Sequence, residues 1–141
     1  MPTEKLLLTL CTGNTCRSPL AAAILKRRVK ELGKTAQYRV ESAGLWATPG
    51  ESVSEQAAAA AEEQGLNIAA HQATSVTPEQ LHQAERIFVM TKGERDCILS
   101  TMAELAPKIS VVEASDPTGL DLAAHRACCS DLIRYFERVG L

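Results

Sequence analysis

Cys11, Arg17 and Asp116 are the three side chains whose types and placement point to one reaction. The first two bracket the run Cys11-Thr12-Gly13-Asn14-Thr15-Cys16-Arg17-Ser18. That run follows an apolar stretch, Leu6 to Leu10, and leads into helix-forming sequence from Pro19 to Lys30. Strand, tight loop and helix in that order present free backbone N–H groups and the positive end of a helix dipole to an anion. Thiols in such settings, with cations nearby, have pKa values of roughly 3.5–7.5, so Cys11 is expected to be a ready nucleophile. The amides from Thr12 to Arg17 can ring a phosphoryl group. The Arg17 guanidinium can hold two of its oxygens as charge redistributes in transfer. Ser18 can donate to the sulfur. These are the parts of phosphate-ester hydrolysis through a phosphocysteine.

Such a reaction needs an acid for the leaving group. Asp116 suits it: it follows a predicted strand, sits on a loop and is pinned by Pro117. The same carboxylate can later activate the water that hydrolyses the phosphocysteine. Asp121 and Asp131 are weaker choices because both are placed in the last helix. The competing reading of Asp116 is a cap for that helix. The competing reading of Cys11 is a buried small hydrophobe, and that of Arg17 a surface ion-pair partner.

The elements that must position these residues are legible from periodicity and caps. The first strand is expected at Lys5–Leu10, and the first helix at Arg17–Leu32 with Leu20, Ala23 and Ile24 on one face and Gly33 as its stop. Tyr38–Ser42 reads as the second strand, followed by a loop over 43–50. Ser52 to Glu55 matches a capping box ahead of an Ala-rich helix to Gln64. Thr77-Pro78-Glu79-Gln80 is a second box opening a short helix to Gln83. Arg86–Met90 is the third strand. Thr91-Lys92-Gly93-Glu94 opens a helix ending before Pro107, and Ile109–Val112 is the fourth strand. Asp121–Val139 is the last helix, with Cys129, Leu132, Ile133 and Phe136 as an apolar stripe. Strands alternating with helices imply an α/β fold: one three-layer, doubly wound domain over 1–141 with a four-stranded parallel sheet. Ligands of such folds bind at the carboxyl ends of the strands near a topological switch point. The Cys11 and Asp116 loops both follow strands, so they can face one crevice.

The totals agree with a single enzyme-sized domain. The chain has 141 residues, 45% hydrophobic, with net charge −2. It has no basic stripe and only 4% aromatic residues, which argues against nucleic-acid binding. No secretory signal or membrane-length apolar run is seen near Met-Pro-Thr-Glu-Lys, so neither export nor membrane insertion is expected. Five cysteines without scaffold spacing suit a reduced, cytoplasmic protein. The C-x4-C pair Cys11/Cys16 and the three histidines (His71, His82, His125) give no zinc pattern, so no metal and no cofactor are expected. A monomer is expected, taking phosphorylated proteins as substrates and releasing inorganic phosphate.

The run CTGNTCRSP resembles the signature loop of the low-molecular-weight protein tyrosine phosphatases, and Asp116-Pro117 resembles their catalytic Asp-Pro pair. The likeness spans nearly the whole chain, including Ser42-Ala43-Gly44, His71 and the C-terminal helix. It implies the flavodoxin-like fold of that family. It also implies that Asn14, Ser42 and His71 form a network that holds the loop in shape. Trp46 would line one wall of the substrate cleft (as an indole it also suits a core position). Cys16 would trap oxidised Cys11 as a reversible disulfide; the bland alternative is an inert thiol.

Thr15 stands where many members carry a bulky aliphatic residue. With Ser42-Ala43-Gly44-Leu45-Trp46-Ala47-Thr48-Pro49 it is similar to the bacterial protein-arginine phosphatases. A hydroxyl suits a planar, polar guanidinium; an aliphatic side chain suits a phenyl ring. Phosphoarginine is therefore slightly favoured over phosphotyrosine. Two departures bear on substrate: Thr118 replaces the usual aromatic after Asp-Pro, and Ala21–Ala23 occupy the place of a usual acidic residue. Arsenate reduction on the same fold is a rival, with Cys97 as a relay thiol, but Met90 stands where the resembling reductases carry another cysteine. A non-catalytic phosphate-binding or redox-sensing module is the other rival.

Overall fold

Leu6, Leu7, Leu8 and Leu10 are all buried in the computed structural model, which describes residues 4–141. Such an unbroken apolar run is the signature of a strand covered on both faces. Strand β1 (Lys5–Cys11) is paired in parallel with β2 (Tyr38–Gly44) on one side and β3 (Ala84–Val89) on the other; β4 (Ile109–Val111) adds beyond β3. The order is β2-β1-β3-β4. The period-2 alternation of the strands sorts their side chains into two cores. Leu7 and Phe88 pack with Leu20, Leu25, Leu132 and Phe136. Leu6, Leu8, Leu10, Ile87 and Val89 pack with Leu81, Ile98 and Leu105. Helices α1 (Arg17–Glu31), α2 (Glu55–Glu63) and α5 (Leu122–Glu137) thus cover one face. Helices α3 (Pro78–Gln83) and α4 (Lys92–Leu99), with a 3₁₀ segment at Ala103–Lys108, cover the other. This is the expected three-layer parallel α/β domain. Residues 1–3 of the expected domain, and the part of the N-terminal reading resting on them, lie outside the described residues. Among the described residues no helix is long and apolar enough to cross a membrane.

The switch point falls between β1 and β3. Their neighbouring carboxyl ends lead into α1 on one face and α4 on the other, which opens a crevice there. The helices on the α4 side are specified locally. Thr91 and Glu94 form a complete capping box at α4, and Thr77 and Gln80 another at α3, where Pro78 fills the first turn.

Several boundaries differ from expectation, each for a physical reason. The cap of α2 is Ser54, whose hydroxyl accepts from Ala57 N at 3.3 Å. Ser52 instead bridges to Gln72. The stretch before Pro107 is not one helix: α4 ends at Leu99. Ser100 Oγ donates back to Cys97 O at 2.7 Å, a side-chain bond that competes with helix continuation. Pro107 then falls inside the 3₁₀ segment. Strand β2 runs on to Gly44 because that residue pairs with Cys11. Asp121 is the N-cap of α5, accepting from Ala124 N at 3.0 Å, rather than a residue within it. On α1 the buried face is Leu20, Ala21, Ile24 and Leu25, with Ala23 only half-buried.

Gly44 shows why the end of β2 has no side chain. A Cβ there would lie 2.7 Å from Thr12 O, 2.8 Å from Ala47 Cβ and 3.1 Å from Asn14 Cβ. The backbone carbonyl cannot retreat without moving the loop after β1. Gly44→Ala is therefore expected to destabilise the fold by about 1–3 kcal/mol. It should also weaken inorganic phosphate binding, read by thermal denaturation with and without phosphate. A variant as stable as the parent would show that the loop has slack.

Candidate active site

The loop between β1 and α1 is held from outside by its carbonyl groups. Cys11 O accepts from Leu45 N and Thr12 O from Trp46 N, both at 3.0 Å. Asn14 O accepts from His71 Nε2 at 2.9 Å. Thr15 O accepts from Ser54 N at 2.9 Å, and Cys16 O from Leu20 N at 3.2 Å. In a planar trans peptide the C=O and the following N–H point opposite ways. Tethering these five carbonyls outward turns the N–H groups of Thr12, Gly13, Thr15, Cys16 and Arg17 away from the tethers, available to an anion over Cys11. Cys16 is the N-cap of α1 and makes no side-chain cap bond, so no side chain competes for the amides of the first turn.

Asn14 is the hub of the loop's internal bonding. Its backbone is left-handed, with φ 56°, a conformation Asn tolerates better than most residues. Its side chain is buried and fully used. Nδ2 donates to Ser18 Oγ at 2.8 Å and Ser42 Oγ at 3.1 Å. Oδ1 accepts from Thr74 N at 2.9 Å and His71 Nε2 at 3.2 Å. Both acceptors of His71 Nε2 are oxygens, so that nitrogen carries the proton. Asn14, Ser42 and His71 are thus brought together with Ser18, and the network ends on the sulfur. Asn14 N donates to Cys11 Sγ at 3.2 Å, and Ser18 Oγ lies 2.9 Å from it. Asn14 Nδ2 donates to Ser18 Oγ, and the serine proton has two acceptors to choose from, Cys11 Sγ at 2.9 Å and Ala43 O at a longer 3.5 Å, so the sulfur is the nearer one. Thr9 Oγ1 donates to Ser18 O at 3.0 Å and fixes the start of α1 against β1.

Arg17 is buried, and its guanidinium lies 3.5 Å from both Asp116 Oδ2 and Ala114 O. Asp116 lies just beyond β4, on the loop that precedes α5, and Oδ1 accepts from Thr118 N at 3.1 Å. Burial pushes the Asp116 pKa up, but the Thr118 hydrogen bonds and Arg17 outweigh it and hold the carboxyl below its usual range. Cys11, Thr12, Gly13, Thr15, Cys16, Arg17, Asp116 and Thr118 line one cleft of about 380 Å³.

Trp46 is not among the residues around that hollow; its backbone N–H anchors Thr12 at the rim of the loop, and at 65% exposure its side chain is not core. Cys16 is buried, and its thiol is pushed up to about 12 by that burial and by Cys11, with Arg17 partly opposing.

Sequence reasoning missed Glu94 as part of the site. Its carboxylate is only 4% exposed. Oε1 accepts from Met90 N at 2.8 Å and Thr91 N at 3.0 Å, while Oε2 accepts from Thr12 Oγ1 at 3.1 Å. One buried side chain thus caps α4 and ties that helix to the loop after β1. The capping-box spacing is visible in the chain; the bond across 82 positions of sequence is not.

The low molecular weight phosphotyrosine protein phosphatase family model matches residues 6–131. A protein-arginine-phosphatase of Geobacillus stearothermophilus is 30% identical over 143 aligned positions, covering 95% of this chain and 93% of that one. Among solved structures, an arginine phosphatase from the same organism superposes with a TM-score of 0.83 at 31% identity, over 95% of this chain and 89% of that one. The low molecular weight protein tyrosine phosphatase of T. tengcongensis superposes with a TM-score of 0.87 at 29% identity, covering 95% and 96% of the two chains.

Proposed function

The chain belongs to the low molecular weight phosphotyrosine protein phosphatase family, and from that footing we propose that it hydrolyses phosphoamino acids in proteins through a phosphocysteine, with phosphoarginine favoured over phosphotyrosine. The observation that carries the reading is the convergence on one cleft of Cys11 Sγ, with two donors aimed at it, and the Arg17–Asp116 pair. The phosphoryl group displaces the Asp116 carboxylate from Arg17 and takes the loop amides as donors. Sγ attacks phosphorus; the S–P bond forms as the bond to the leaving nitrogen or oxygen breaks. Asp116, protonated in the complex, gives its proton to the leaving atom. Its carboxylate then accepts a proton from water, whose oxygen attacks the S–P phosphorus and releases inorganic phosphate and the thiolate.

The preference for phosphoarginine rests on what lines the cleft. No aromatic side chain is among the residues lining the hollow around Cys11, so it offers a phosphotyrosine ring no stacking partner of its own. Thr15 instead offers a hydroxyl and Asp116 a carboxyl group, both of which can hydrogen-bond a guanidinium. The test is kcat/KM on matched phosphoarginine and phosphotyrosine peptides. Thr15→Ile should move the ratio toward the aryl substrate by about tenfold. An unchanged ratio would remove Thr15 from the specificity argument.

A monomer working in the cytoplasm completes the proposal. All five cysteines are unpaired, which suits a reducing compartment. Among the described residues only Leu32, Trp46 and Leu120 are large, apolar and exposed, too few for an obligate interface.

A further inference from the structure

A second hollow, of about 170 Å³, opens beside the phosphate cleft and shares Thr15, Cys16 and Thr118 with it. Its far side is built from Ser54, Leu120 and His125. We propose that this hollow binds the side chain next to the phosphorylated residue of a protein substrate, and that it selects an uncharged one. The inference rests on the phosphatase reading above and adds a sequence preference to it.

Continuity is the first ground. A peptide whose phosphorylated side chain stands over Cys11 has its neighbouring residue within reach of the shared Thr15–Thr118 edge. The second is charge. Arg17 and Asp116 face the cleft, whereas no Lys, Arg, Asp or Glu lines the hollow. A charged side chain entering it would lose water and find no counter-charge. The third is Leu120, which is 57% exposed although it sits on a loop at the mouth of the site. An apolar substrate side chain laid against it removes surface from water on both partners.

The fourth is a polar handle at the back. His125 is only 2% exposed. Its Nδ1 lies 2.8 Å from Asp121 O, so Nδ1 carries the proton and Nε2 is an acceptor. Its contact with Ser54 Oγ is long, at 3.5 Å. A buried acceptor so loosely engaged suits a hydroxyl or amide donor from the ligand. Ser54 N in turn donates to Thr15 O at 2.9 Å, which ties the wall of the hollow to the phosphate loop.

The experiment measures kcat/KM for p-nitrophenyl phosphate and for a phosphoarginine peptide series. In the series, the residue on each side of the phosphorylated one is varied through Ala, Val, Thr, Asp and Lys. Parent protein and Leu120→Ala are compared. The parent should favour Val and Thr over Asp and Lys on one side by about tenfold. Leu120→Ala should flatten that preference while leaving p-nitrophenyl phosphate turnover within about twofold, since Leu120 lies outside the cleft lining. A parent that hydrolyses both substrates yet ignores both neighbours overturns the hollow's role alone. So does a Leu120→Ala variant that loses both activities equally or keeps the parent's preference. A parent that hydrolyses neither substrate overturns the phosphatase reading beneath it.

Discussion

Cys11→Ser is expected to end turnover, with kcat falling on the order of 10⁴-fold or more, because the only attacking atom is lost. Everything around that atom is arranged for sulfur. Asn14 N and Ser18 Oγ lie 3.2 and 2.9 Å from Sγ. A serine oxygen in its place would receive the same donors but is protonated at neutral pH and is a far poorer nucleophile and leaving group than a thiolate. The substitution changes little in volume, and Cys11 is already buried at the end of β1, so the melting temperature should stay near that of the parent. Steady-state hydrolysis of p-nitrophenyl phosphate gives the loss. Mass spectrometry of acid-quenched reactions gives the reason: a phosphoryl adduct on Cys11 that turns over in the parent, and at most a persistent adduct on the introduced hydroxyl in the variant. A Cys11→Ser protein retaining even a hundredth of the parent rate would mean that the reaction does not depend on a sulfur at position 11.

Asp116→Asn separates catalysis from binding. Loss of the proton donor should lower kcat by about 10²–10³-fold. Phosphate affinity should persist or rise, because Arg17 no longer has a carboxylate 3.5 Å away competing with the ligand. The pH profiles carry a second signature. In the free protein Asp116 is held below the usual carboxylate range, so its limb in kcat/KM should lie below that range too. Once a phosphoryl dianion takes Arg17 and sits beside the carboxyl, proton binding is favoured. The limb in kcat should therefore appear at higher pH, and both limbs should vanish in the Asp116→Asn variant. The same depression bears on stability with a definite sign. Its contribution is present above the unfolded carboxylate pKa and is lost as pH falls through the lower folded value. It is small, because the Asp116 side chain is 55% exposed and solvent screens the pair. Unchanged kcat in Asp116→Asn would leave the fold and the phosphate cradle standing but assign the proton to another donor.

Most of the site can be read from the chain because its parts are local. Cys11 to Ser18 are contiguous, and a strand–loop–helix run dictates where their amides go. Thr77 and Thr91 announce their helices through boxes of four residues, and both boxes form. Ser54 escapes notice as a cap because Ser52 satisfies the same pattern two positions earlier, and only pairing with Gln72 decides between them. Periodicity makes the helix after Thr91 too long, since it does not register a serine bonding back to the carbonyl three residues before it. Glu94 is the instructive omission. Its helix-capping role is local and legible, whereas its bond to Thr12 exists only because β1 and β3 are neighbours. Trp46 shows the converse: its backbone anchors the loop as adjacency to Gly44 suggests, but nothing in the sequence says that the indole faces water.

The outward tethering of the Cys11–Arg17 loop also bears on how the molecule matures. Its carbonyls are secured by Leu45, Trp46, Ser54 and His71, residues that belong to three separate stretches of chain far downstream of the loop itself. An emerging polypeptide that has completed only its first strand and helix has the nucleophile but no receptacle for its ligand. The phosphate receptacle therefore requires those downstream stretches to be in place, not the loop alone.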